Sequence, residues 1–211
     1  DNNSSINTDT MNFLSIDFSM SEGSLFIKIQ NKTFRKVLQS DKSNIDLLMN
    51  HILDFFKENL LKFDDLSYIF VNQGPGNFSG LRGSLAIAKG ISLSKNLHLF
   101  GYNTPLWSCT KFFNQQNSIF SFIKFREIYF VQEFDVNLKK ISELRKIDKS
   151  EIMSKFSNKF KVVPKSMVKL FDDEILKLSN FNIIDLDHNE LEFLKLKGLL
   201  EKNLIKPLYL S

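Results

Sequence analysis

The stretch with the strongest chemical signal is Gly74-Pro75-Gly76-Asn77-Phe78-Ser79-Gly80, followed by Leu81-Arg82-Gly83. Glycines allow positive φ and let another group come close to the backbone. A glycine loop between a strand and a helix aims several N–H groups at one spot, which suits an anion. Two nucleotide chemistries nevertheless fail on spacing. A Walker A loop ends in Gly-Lys-Ser/Thr, whereas Gly80 is followed by Leu81. A dinucleotide fingerprint needs GxGxxG and an acid about 20 residues further on. Gly74, Gly76 and Gly80 are spaced one residue too long for it, and no Asp or Glu occurs from Leu66 to Arg126.

Other reactive residues are sparse. Asp17-Phe18-Ser19-Met20 ends an apolar run. Asp17 is either a general base or metal ligand, or a structural remnant, and the remnant reading is preferred because it is the sole acid there. His51, His98 and His188 are far apart, with no i, i+4 pair of the kind a helical metal site uses. Cys109 is the one cysteine, which excludes an intramolecular disulfide and a multi-cysteine zinc site. With no histidine near it in sequence, it reads as a buried structural thiol.

These residues need a frame, and the 211-residue length allows one large domain or two small ones. Apolar residues at 43% and charged residues at 25% fit an ordinary globular chain. No apolar run reaches the roughly 18–20 residues of a membrane helix, so no membrane association and a cytoplasmic location are expected. Residues 1–10 are polar and aperiodic and read as a disordered leader or an expression remnant before Met11. Phe13–Phe18, Leu25–Ile29 and Thr33–Leu38 read as a three-stranded meander with a turn at Asn31-Lys32. Tyr68–Val71, the glycine loop, a helix from about Leu81 to Lys95 and a strand over Leu97–Tyr102 form a βαβ unit. The boundary between an N-terminal lobe, 11–104, and a C-terminal lobe, 105–211, is placed near Asn103–Leu106. In the second lobe, Ile119–Phe125, Ile128–Phe134, Phe160–Val163 and Phe181–Leu186 read as strands. Met167–Leu178 and Leu191–Leu200 read as helices.

Two helices have unusual faces. In the first, about Asn44–Leu60 and capped by Ser43 or Asn44, Ile45, Leu48, Met49 and Ile52 form an apolar stripe. Leu47, Phe55 and Leu61 fall off it, so the apolar surface is wider than one core contact needs. Burial on two sides and a partner surface both account for this. In the second, Gly83, Ala86, Gly90 and Ser94 share one face, with Ile87 beside it. Each glycine costs about 1 kcal/mol against alanine inside a helix, and close packing of a second helix would compensate. The acid-free stretch also carries Arg82, Lys89, Lys95, Lys111, Lys124 and Arg126. A solvated cationic face is the simpler reading of these, a nucleic-acid surface the sharper one.

Gly74-Pro75-Gly76-Asn77-Phe78-Ser79-Gly80-Leu81-Arg82 resembles the GPGSFTGxR motif of the TsaB (YeaZ) family. Phe13–Ser19 resembles that family's opening ILAIDTS, and Leu47-Leu48 its LLPxI segment. Ala86 to Gly101 resembles its AxAKGLAxxxxxPLxG stretch, and Pro207-Leu208-Tyr209-Leu210 its terminal PxYLR. Two departures stand out. Phe18 replaces the usual Thr, and Phe122-Ile123-Lys124 replaces the IDAR segment before Glu127-Ile128-Tyr129.

The resemblance implies an α/β actin/Hsp70-like (ASKHA) fold of two related lobes, each with a β-meander and βα units, the second shortened and diverged. It implies a non-catalytic subunit in tRNA threonylcarbamoyladenosine formation, paired with a TsaD-like catalytic subunit and a TsaE-like P-loop ATPase, with tRNA reached through the complex. The interface would use Ile45, Leu48, Met49, Ile52, Gly83, Ala86, Ile87, Gly90 and Ser94, and the same helices would serve a homodimer. Asp17 and Ser19 would be a vestigial phosphate turn, since Phe18 and Met20 crowd a phosphate. No cofactor is expected on the chain alone; a nucleotide at the partner interface is left open. Two alternatives stand beside this: an ASKHA-class small-molecule kinase or hydrolase, and a basic nucleic-acid-binding module.

Overall fold

A computed structural model describes residues 11–203 and 205–209. The leader expected over 1–10 and Leu210 of the terminal motif lie outside them. The described residues form two compact units. One runs to Gly101 and resumes at Glu201; the other is Tyr102–Leu200.

In the first unit, β1 (Phe13–Asp17), β2 (Glu22–Ile29) and β3 (Lys32–Gln39) make the expected antiparallel meander. The hairpin turn sits at Gln30-Asn31, both with positive φ, one residue earlier than the sequence reading. β4 (Tyr68–Asn72) pairs parallel with β1, and β5 (His98–Tyr102) lies beside β4. The sheet order is β3-β2-β1-β4-β5. Alternation sends Leu14, Ile16, Leu25, Ile27, Ile69 and Val71 into a core under the helices. On β1, β2, β4 and β5, Phe13 stacks with Phe26 and meets Phe70 edge-on, and Phe70 in turn contacts Phe100.

The helix read over Asn44–Leu60 is two helices. α1 (Lys42–Asp46) ends where Leu47 leaves helical geometry, and α2 (Leu48–Glu58) starts there. The cap is Asp41, whose carboxylate accepts from the Asn44 N–H at 2.8 Å, rather than Ser43 or Asn44. α3 (Phe78–Lys95) begins three residues earlier than expected and ends on Asn96 in the left-handed conformation.

The second unit repeats the strand plan. β6 (Ser118–Phe125), β7 (Ile128–Asp135) and β8 (Arg145–Ile147) form an antiparallel meander. β9 (Lys161–Pro164) runs parallel to β6, and β10 (Phe181–Ile184) parallel to β9. The order β8-β7-β6-β9-β10 corresponds strand for strand to β3-β2-β1-β4-β5. α4 (Thr104–Cys109) is capped by Asn103, which accepts from the Leu106 N–H at 2.9 Å. α5 (Lys149–Lys155) went unforeseen, as did β8. Met167–Leu178 is not one helix: a 3-10 segment over Lys165–Leu170 and the short α6 (Asp173–Leu176) replace it. α7 (Glu190–Leu196) closes the unit.

Residues from Glu201 on return to the first unit, whereas the sequence reading placed all of 105–211 in the second. Main-chain hydrogen bonds explain the return. Gly101 and Glu201 exchange N–H···O bonds of 2.9 and 3.1 Å, and the Leu208 N–H reaches the Gln73 carbonyl at 2.7 Å.

Candidate functional site

β4 delivers the chain into the glycine loop through two buried polar residues the sequence reading had not singled out. The Asn72 carboxamide accepts from the Gly74 N–H at 2.8 Å and donates to the Ser19 hydroxyl at 3.4 Å. The Gln73 carboxamide donates to Glu201 Oε2 at 3.1 Å and to the Lys206 carbonyl at 2.9 Å. A polar pair ending an apolar strand just before glycines was the available signal for Asn72. Nothing in the sequence links residue 73 to residue 206.

Gly74, Pro75, Gly76 and Gly80 are buried, and Gly74 has φ +110°, joined to Pro75 by a cis bond. The group that approaches these glycines is the chain's own backbone. A Cβ on Gly76 would overlap the Ser19 carbonyl oxygen, and one on Gly80 the Phe18 carbonyl oxygen. The Asn77 N–H donates to the Ser19 carbonyl at 2.8 Å. The close approach that suggested an anion is thus used to clasp the β1–β2 turn.

Within that turn, Asp17 Oδ1 accepts from the Ser19 N–H at 3.1 Å and the Ser19 hydroxyl at 2.8 Å. Burial pushes the Asp17 carboxyl up from its ordinary value, while the hydrogen bonds from Ser19 and Asn72 pull it down. Phe18 is fully buried in the core. Its ring lies where a Cβ on Gly23 would stand 2.5 Å away. The residue that departs from the family pattern has become a packing residue.

The helix residues named from sequence divide into two groups. Leu48 and Ile52 are buried in the chain's own core, and Ile45 and Met49 pack against it. Leu48 and Ile52 are therefore unavailable to a partner, which corrects their place in the expected interface. Gly83 also faces inward in effect: a Cβ there would stand 2.6 Å from Ile45 Cγ2, so it admits α1 against α3. The outer face of α3 is different. Ala86, Gly90 and Ser94 are exposed, Ile87 is half-buried, and Leu93 is 85% exposed. Among the described residues, no atom beyond α3's own backbone lies within 4 Å of a Cβ built on Gly90.

At the start of α3, Ser79 is exposed and Asn77 half-buried. The Phe78 and Tyr209 rings stand 4.8 Å apart, and the Arg82 guanidinium lies 5.3 Å from the Phe78 ring centre. Tyr209 is set there by a parallel bridge between its backbone and Gly76.

In the second unit, burial pushes the Cys109 thiol up to about 12, so it carries no thiolate at neutral pH. The Glu190 carboxylate has both oxygens buried without a hydrogen bond and lies 4.0 Å from Lys111 Nζ. Burial raises it to about 7 against the pull of Lys111. Among the described residues, no three His, Cys, Asp or Glu side chains group to hold a metal, and no helix is long and apolar enough to cross a membrane.

Comparison with known proteins agrees with this architecture. A family model described as TsaD: tRNA N6-adenosine threonylcarbamoyltransferase matches residues 39–117. The tRNA threonylcarbamoyladenosine biosynthesis protein TsaB of Buchnera aphidicola subsp. Baizongia pistaciae is 33% identical over 94 residues, 44% of this chain and 42% of that protein. The protein of the same name from Buchnera aphidicola subsp. Schizaphis graminum is 45% identical over 40 residues, 19% of each chain. The matched stretches thus span less than half of either relative. YeaZ from Pseudomonas aeruginosa superposes with a TM-score of 0.66 at 12% identity, covering 95% of this chain and all of that one. A solved protein with similarity to peptidase YeaZ from Pseudomonas aeruginosa gives 0.70 at 11%, with the same coverage. These superpositions and the repeated strand order place the chain in the actin/Hsp70-like α/β fold class.

Proposed function

We propose that this chain, a member of the TsaB (YeaZ) family, is a non-catalytic subunit in tRNA threonylcarbamoyladenosine biosynthesis that binds and activates a TsaD-like threonylcarbamoyltransferase. The observation that carries this is Gly90. It sits inside the 18-residue helix α3, where glycine costs about 1 kcal/mol against alanine, and none of the described residues stands where its Cβ would be. Gly83 recovers that cost by admitting Ile45; Gly90 has no such return among the described residues. A partner helix laid across Ala86, Gly90 and Leu93 would supply it. Its backbone would come close at the two small residues while Leu93 packs at the side.

The chemistry of the remaining residues supports a binding role. The Ser19 hydroxyl and N–H are spent on Asp17 rather than offered to a phosphate. The Cys109 thiol is buried and protonated. The reading carries with it a TsaE-like ATPase, tRNA reached through the complex, and self-association through the same helices when the partner is absent; it leaves a nucleotide at the partner interface open.

Size-exclusion chromatography with light scattering, on this chain with and without its cognate TsaD-like protein, tests the reading. A stable mixed complex is expected. No complex, even with ATP and the ATPase present, would overturn it.

A further inference from the structure

We propose that Phe78, Arg82 and Tyr209 form a platform on which an unpaired base of an RNA strand stacks. The choice of RNA rests on the tRNA-modification reading above; the platform itself rests on geometry. Phe78 is 54% exposed and Tyr209 46% exposed, an unusual cost for two large rings in one place. Their centres are 4.8 Å apart at an interplanar angle of 33°, so the two rings pack on one another and a base would stack on the outside of the pair. The Arg82 guanidinium sits over the Phe78 ring, 5.3 Å from its centre, and brings positive charge to the pair. Aromatic rings and guanidinium planes are the groups on which splayed bases stack.

The platform is positioned by the fold. Phe78 opens α3 and Arg82 lies one turn further along it. Tyr209 is held by its bridge to Gly76 and by the neighbouring Leu208 N–H to Gln73 carbonyl bond. The rings are therefore pinned to the glycine loop from two sides.

Charge selects the class of ligand. α3 contains no acid, and Arg82 is the cation it places beside the platform. Lys206 is exposed on the returning segment, and Glu201, the acid on that segment, is engaged by the Gln73 carboxamide. A planar surface of positive character fits a nucleobase carrying a phosphate. Gly90 is twelve residues beyond Phe78, about 18 Å along the helix at 1.5 Å per residue. A partner helix seated at Gly90 thus leaves the platform end of α3 open to a strand.

The test is fluorescence anisotropy of a labelled, unstructured 12-nucleotide RNA with the full chain, at 50 to 300 mM salt. The wild-type chain should bind it saturably, more weakly as salt rises. Phe78→Ala and Tyr209→Ala should each weaken binding about 5- to 100-fold, Tyr209→Phe less than about twofold, and Arg82→Gln should lower the salt slope by about one. Because these side chains are half exposed, thermal melts should confirm folded variants. Absence of saturable binding by the wild type at 50 mM salt overturns the proposal. So do variants that bind RNA as tightly as wild type, whether or not they lose the TsaD-like partner. Displacement of the 12-mer by AMP at equal nucleotide concentration would make the site a mononucleotide site and also overturn it. Co-elution with the partner, measured on the same preparations, reports separately on the subunit reading.

Discussion

The two units share one strand plan and differ in what is strung between the strands. Between β4 and β5 the first unit has a glycine loop and the 18-residue α3. Between β9 and β10 the second has a 3-10 segment and the four-residue α6. Between β3 and β4 lie α1 and the 11-residue α2, against the 7-residue α5 between β8 and β9. In the first unit the core is completed by helix side chains, Leu48, Ile52, Phe55 and Phe56 from α2 and Leu85, Ala88 and Ile91 from α3. α3 thus has an inner face in the core and an outer face on which, among the described residues, nothing packs at Gly90. The units also solve close approach differently. The first brings backbone against backbone through Gly76 and Gly80. The second fills its interior with the Lys161 ammonium, which donates to the carbonyls of Phe156, Ser157, Lys159 and Ser179 at 2.6 to 3.1 Å.

Lys161→Met should produce the largest effect. Burial alone pulls the Lys161 ammonium down to about 8, and its enclosing carbonyls act the other way. Removing the charge leaves those carbonyls without their donor, at a cost of about 3–5 kcal/mol. Hydrogen exchange should show β9 and β10 losing protection while β1 and β4 keep theirs. Equal loss in both units would break the comparison.

Gly76→Ala should do the converse, at about 3 kcal/mol. The added Cβ drives the loop off the Ser19 carbonyl, so the urea midpoint should fall and the exchange signature should move to β1 and β4.

A smaller effect separates the units by pH. The Glu190 carboxyl is raised to about 7 from 4.5, so the folded state binds a proton that the unfolded chain releases first. Stability from this group is therefore present below about pH 4.5 and is lost as pH rises to about 7. Glu190→Gln should flatten that fall and raise stability at pH 8 by about 1–2 kcal/mol, with little change at pH 4.5. An unchanged slope of melting temperature between pH 4.5 and 8 would refute the assignment.

The smallest effect has the opposite sign. Gly90→Ala should stabilise the chain by about 0.5–1 kcal/mol, because nothing occupies the space, and the melting temperature should rise. A fall would mean that the position is not open.

Much of the first unit was legible because its signals are local. An apolar run marked β1, the turn near Asn31 separated β2 from β3, and the glycine run marked the β4–α3 junction. What approached those glycines was not legible: spacing reports that something comes close, and only the fold shows it to be Ser19 and Phe18. The break at Leu47 was hidden because a leucine there continues a helical pattern, and its departure from helical geometry leaves no mark in side-chain type. Leu48 and Ile52 looked like interface residues because an apolar stripe reads alike whether it faces a core or a partner. In the second unit, α5 did carry a signal: Asp148 caps it by accepting from the Glu151 N–H at 2.8 Å, a D-x-x-E spacing in the sequence. The apolar periodicity over Met167–Leu178 suggested a helix, but extended backbone at Phe171 and Asp172 divides it into a 3-10 segment and one turn of α6.

The central claim is that the open face of α3 is built for a partner's backbone. The most direct test is the affinity of Gly90→Leu for the cognate TsaD-like protein by titration calorimetry, alongside a melt of the variant alone. The account predicts an unchanged or higher melting temperature and loss of the complex. Wild-type affinity in the folded variant would contradict it.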